Sequence, residues 1–236
     1  MAGVLLLAPH LPTPDSTTTF RIAAYASHAV WYALLMLVVL QVTANWALPI
    51  RALLGAVAAS FVLVAVLNVL DLDVASDLAK VVFGALAGTA FVRAIERPWW
   101  LIPICITVPI ADAWSVFSER GVTNAVVERA QQEPRWIDWP TIATPIAGLP
   151  YDLFGRLGIV DVLFAALFVG AATRWQLGRV RAAVALVLGL LATSVLVIEG
   201  IDMAIPALPL LCIAFLVACA PGLVRDARAA HADTRR

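Results

Sequence analysis

Seven times between residues 28 and 224 the chain runs through about 17 to 20 residues made almost entirely of Leu, Val, Ala, Ile and Phe. The runs cover residues 28–46, 52–70, 78–95, 99–117, 157–173, 182–198 and 205–224. At about 1.5 Å of rise per residue, each matches the roughly 30 Å hydrocarbon core of a bilayer. Backbone groups inside lipid find no water, so only helices and closed barrels cross it, and these runs are too long for barrel strands. The sequence therefore predicts an all-α integral membrane protein, a polytopic bundle of about seven transmembrane helices. Residues 1–27 form an N-terminal tail, 28–224 the transmembrane domain, and 225–236 a charged C-terminal tail. Trp31, Tyr32 and Trp46 stand where interfacial anchors are expected.

Composition agrees. Hydrophobic residues make up 62%, charged residues 14%, and mean hydropathy is +0.93, too little polar surface for a soluble domain of this length. With a formal net charge of zero, nothing points to nucleic acid. Cys105, Cys212 and Cys219 lie in apolar runs and His10, His28 and His231 are scattered, so no disulfide framework, metal site or cofactor is expected. Lys80 is the only lysine among 16 basic residues, an Arg bias typical of GC-rich bacterial genomes. The apolar start of the chain ends at Pro9, too short for a span or a signal-peptide core.

The Arg and Lys residues orient the bundle. One side receives Arg51, Arg93, Arg97, Arg174, Arg179, Arg181 and the basic tail. The other receives Arg21, Lys80, Arg120, Arg129, Arg135 and Arg156, the last four nearly balanced by acids. The positive-inside rule predicts a multi-pass plasma-membrane protein with a cytoplasmic C-terminus and the long loop 118–156 outside. Within that loop NAVVERAQQ reads as a short amphipathic helix, and Trp136 and Trp139 as surface-lying. The segment FGALAGTA in the third run predicts close helix packing.

Two aspartates interrupt the apolar pattern. Asp112 lies in ICITVPIADAWSVF, where Pro103 and Pro109 disturb the helix, and Asp161 lies in RLGIVDVLFAALFVGAA. Ionisable groups in spans are costly and mark function by default. Asp112 is about five residues before its run ends and Asp161 about four after its run begins, so they lie roughly 8 Å and 6 Å below the same surface. Gly158 permits close approach beside Asp161, and Pro206, Ala207, Leu208 and Pro209 fall at the same level. Two carboxylates at one depth suit acid/base hydrolysis of peptide bonds, one ionised to activate water and one protonated to donate. Singly, each aspartate also suits a helix end; Asp161 would be a favourable first-turn residue. Asp71, Asp73 and Asp77 read as an acidic loop, and Asp152, Glu199 and Asp202 as solvated charge.

Three blocks resemble the presenilin and signal-peptide-peptidase family of intramembrane aspartyl proteases. DAWSVFSERGVTNAVVERAQ is similar to the stretch following that family's first catalytic aspartate. LGIVDVLFAALFVGAA is similar to its second catalytic segment with the GxGD motif, and PALP at residues 206–209 to its PAL motif. The resemblance covers residues 99–224, the catalytic half. It implies a presenilin-like fold with Asp112 and Asp161 as the dyad. It also makes Gly158 the first glycine of GxGD, and Pro206, Ala207 and Leu208 the PAL element, with Pro209 beside them. The substrates implied are transmembrane segments or signal peptides, paired as extended strands near the PAL element. Two positions depart: Ala111 replaces the usual tyrosine, and Val160 replaces the second glycine, where a β-branched side chain narrows access. The family usually has nine spans, five of them before the first aspartate, against three here. Two other readings compete: a catalytically inactive homologue binding membrane helices as a scaffold, and a small proton-coupled transporter using the aspartates as relays.

Overall fold

The computed structural model describes residues 1–14, 16–118, 120–121, 125–126, 129, 132–151, 154–199 and 206–233. The chain is mostly helical. A short helix, α1 (Ala2–Leu7), precedes α2 (Thr17–Thr43), α3 (Ile50–Val69), α4 (Asp73–Ala94) and α5 (Leu101–Phe117). A two-stranded antiparallel sheet follows, β1 (Thr141–Thr144) with β2 (Gly155–Gly158), and then α6 (Ile159–Arg174), α7 (Arg179–Ile198) and α8 (Leu208–Asp233). Among the described residues six helices are long and apolar enough to cross a membrane: α2, α3, α4, α5 with the Pro98–Trp100 turn before it, α7, and α8 as far as Asp226. The protein is thus a polytopic helical membrane protein.

The helix α6, with 16 residues, is the shortest of the long apolar helices and the most enclosed. Val162 and every residue from Ala165 to Ala172 are buried, as expected of a helix that is apolar on all sides. It packs against α4, α2, α7 and α8. The α4 contact is closest, because a β-carbon added at Gly88 would lie 2.1 Å from the Leu163 carbonyl, and one at Gly84 3.2 Å from the Ile159 carbonyl. These glycines are four residues apart on one face of α4, the small-xxx-small arrangement that lets two backbones meet, and they come from the FGALAGTA stretch. At the opposite end arginines satisfy helix-terminal carbonyls, as C-terminal basic residues do. Arg174 donates to the Val92 and Ile95 oxygens and Arg179 to that of Leu40, while Arg93 donates to the Trp46 oxygen in the turn after α2.

Several sequence expectations change. The all-α prediction omits the hairpin, which occupies the end of the 118–156 segment. Its 141–144 and 155–158 stretches are extended because Pro140, the β-branched Thr141, Ile142 and Thr144, and the helix-poor Gly155 and Gly158 disfavour helix there. Trp31 and Tyr32 are core residues, 0% and 4% exposed, and not interfacial anchors. The α2 helix begins at Thr17 behind a Ser16 capping box, so the 1–27 tail is largely ordered. Likewise α8 runs to Asp233, through most of the 225–236 tail. The NAVVERAQQ helix falls largely, and Asp152 and Asp202 wholly, outside the described residues.

Candidate active site

Asp112 is carried by α5, which leans on α8 and on the turn before it. Pro109, inside α5, lacks the amide that would close the turn to Cys105. One turn on, the partly buried Asp112 turns toward α8, and its Oδ2 accepts the Leu208 amide at 3.3 Å. Leu208 opens α8, where the first amides have no helical acceptor. Ala207 precedes it and has no side-chain oxygen for a cap. A carboxylate from another helix fills that role, and a helix N-terminus favours a negative charge. Ala207 and Leu208 are 8% and 4% exposed, so the Pro206–Pro209 turn is packed into the protein beside Asp112.

Asp161 is the third residue of α6. Its Oδ2 accepts the Gly158 amide at 3.1 Å, the backward half of a capping box; Gly158 itself has no side chain to complete it. A β-carbon at Gly158 would lie 3.0 Å from that oxygen. Strand β2 therefore runs directly into the helix through the residue Asp161 holds. The Asp161 carboxylate lies within electrostatic range of Asp112 and of the Tyr32 hydroxyl. Tyr32 is hydrogen-bonded to Ser194 Oγ at 2.8 Å, and its ring lies 5.7 Å from that of His28. Val160 is 53% exposed in the first turn of α6.

The structure thus joins Asp112 to Leu208 by a hydrogen bond, with the buried Ala207 next to Leu208 in the chain, and Asp161, which holds the Gly158 amide, close enough to Asp112 for their charges to interact. The two aspartate helices are joined chiefly through α8, which packs on both α5 and α6. Among the described residues no three His, Cys, Asp or Glu side chains assemble as a metal site.

Sequence reasoning missed a polar cluster beside the hairpin. The α4 helix begins at Asp73, so Asp77 is not in a loop but in the second helical turn, 1% exposed, as is Lys80. Lys80 Nζ contacts Asp77 Oδ1 at 3.1 Å and donates to the Asp138 carbonyl at 2.6 Å. Asp77 Oδ2 accepts the Ala143 amide at 2.9 Å and the Tyr151 hydroxyl at 2.5 Å. The available signal was the one lysine of an otherwise Arg-only chain, three residues after an aspartate at the edge of an apolar run. Glu199 pairs with Arg21 at 3.0 Å at an exposed position, in keeping with a solvated charge.

No protein-family model matches this chain, and no curated protein matches it.

Proposed function

We propose that the protein is an intramembrane aspartyl protease of the presenilin and signal-peptide-peptidase kind, with Asp112 and Asp161 as its dyad. The observation that carries this reading is the hydrogen bond from Leu208 in the PALP turn to Asp112, with Asp161 in charge range. Three remote parts of the sequence meet there, as the reading requires. In this reading α6 is a seventh span, enclosed from Ala165 to Ala172, and the fold is presenilin-like.

In this reading the chemistry is that of two carboxylates sharing one site. The ionised one takes a proton from water as the oxygen attacks the scissile carbonyl. The protonated one donates to the developing oxyanion, and a proton then passes to the leaving amine. The substrate must be extended at the cut, and β2 offers an edge for it. Antiparallel pairs alternate between hydrogen-bonded and non-hydrogen-bonded positions. Ala143, opposite Arg156, turns its amide away from β2 toward Asp77, so that pair is non-hydrogen-bonded. The Arg156 amide and carbonyl and the Gly158 carbonyl then face the outer edge, immediately before Asp161. A transmembrane segment or signal peptide unwound there would pair by strand addition. In this reading the protein sits in a plasma membrane, and the loop charges favour a cytoplasmic C-terminus with residues 118–156 outside.

The test is cleavage of a transmembrane substrate by purified protein in lipid, with products identified by mass. Asp112→Asn and Asp161→Asn should each lower turnover by at least about 100-fold, the scale of general acid/base catalysis, with helical content intact. Undiminished cleavage by either variant rejects the dyad. A second reading, an inactive scaffold that binds membrane helices, draws on the exposed β-branched Val160 beside Asp161 and predicts no wild-type turnover.

A further inference from the structure

We propose that the buried Asp77–Lys80 pair of α4 is a positioning device for the dyad: it fixes the register of β1, and through β2 the place of Asp161 and of the strand edge before it. The catalytic half of this inference rests on the proteolytic reading above; the structural half does not.

Burying two charges side by side is rarely the most stabilising choice, since apolar residues of the same volume often do as well. What the pair supplies here is direction. Its bonds reach the residues before β1 (the Asp138 carbonyl), within β1 (the Ala143 amide) and before β2 (the Tyr151 hydroxyl). On the inner edge of the hairpin Asp77 stands where a third strand would, accepting the one β1 amide that the Ala143–Arg156 pairing turns outward. A slip of β1 by one residue would exchange the inward and outward groups and leave the carboxylate without that donor. An apolar side chain could not detect the slip.

The hairpin passes this choice on. Register sets Thr141 against Gly158 and Ile142 against Leu157. The Ile159 amide continues the pairing with the Pro140 carbonyl at 2.9 Å, and Asp161 follows two residues later. Arg156 is held to the same corner by its ion pair with Asp138 at 2.8 Å. One turn below Lys80, Gly84 receives the first turn of α6. A single face of α4 therefore holds both the strand before Asp161 and the helix that carries it. Asp77 and Lys80 touch no reacting atom in this scheme, so they are positioning residues.

The experiment compares wild type with Asp77→Asn and with the milder Tyr151→Phe, which removes a single hydroxyl outside the spans and guards against misfolding of the first. Amide hydrogen exchange is followed over residues 141–144 and 155–158, with α2 as the internal reference. The ratio of products cut at neighbouring bonds of one transmembrane substrate is read by mass. Exchange in the hairpin should rise at least about 10-fold in both variants with α2 unchanged, and the product ratio should shift at least about twofold. A smaller folded fraction would scale all products equally and leave the ratio alone. Unchanged hairpin exchange overturns the anchor, and faster exchange with an unchanged ratio overturns its role in positioning. If the wild type cleaves nothing, the proteolytic reading fails by itself, and the exchange result alone decides whether the pair sets the hairpin.

Discussion

Asp112 and Leu208 are 96 residues apart in the chain, and the carboxylate of the first accepts the amide of the second at 3.3 Å. The bond ties α5 to the start of α8, the helix on which it packs. It also orients one oxygen of Asp112.

Replacing Leu208 by proline removes that donor with little cost to the helix, because the first helical position tolerates proline. A hydrogen bond to a charged group is worth about 1.5–3 kcal/mol, so Leu208→Pro should lower kcat roughly 10- to 100-fold. Leu208→Ala keeps the amide and should lower it far less. Equal losses in the two variants would mean that the side chain matters and the amide does not.

Gly88 has no room for any side chain. Its β-carbon would sit 2.1 Å from the Leu163 carbonyl and 2.8 Å from the Ala166 β-carbon. Gly88→Val should destabilise the protein by at least about 3 kcal/mol, at or beyond the upper end for overpacking, read as a lower midpoint of unfolding in mild detergent. Gly55, with nothing within 4 Å, gives the contrast: Gly55→Val should change stability by less than about 1 kcal/mol.

Val160→Gly should raise cleavage several-fold if the branched side chain hinders the approach of an extended substrate to Asp161. Glycine costs about 0.5–1 kcal/mol in a helix interior, and less in a first turn, so the fold should persist. A fall in turnover with the fold intact would show that Val160 contributes to binding.

Burial, then the charge of Asp77, hold the Tyr151 phenol well above its ordinary value of 10. It should therefore contribute no phenolate absorbance in the folded protein as pH passes 10, and Tyr151→Phe should leave the absorbance up to that pH unchanged. The sign for stability follows. The folded state keeps a proton that the unfolded state loses above pH 10, so stability falls as pH rises past that point. Tyr151→Phe removes this component of alkaline destabilisation.

The bundle was readable in the chain because apolar runs of span length admit few other structures. The close contact at FGALAGTA was readable because only small residues let helix backbones meet. That Asp112 lies near the end of its helix and Asp161 near the start of its own followed from the bounds of the apolar runs. Their link through α8 did not, since which helices touch is decided by packing between distant segments. The hairpin was hidden because two four-residue strands leave almost no periodic trace among prolines and glycines. Asp77 was misread because an acid at the edge of an apolar run looks the same whether it is solvated or buried. Only the carbonyl, amide and hydroxyl brought by residues 138–151 decide between these.

The Asp77–Lys80 pair also bears on how the protein comes together. Both charges belong to one helix, three residues apart, so α4 can neutralise them by itself before the hairpin docks. Their remaining partners arrive about 60 residues later. The helix therefore waits with two strong hydrogen-bonding groups incompletely met. The segment that meets them is the one leading to Asp161, which makes docking of the hairpin a late step of assembly and gives the unfinished bundle a reason to receive it in one register.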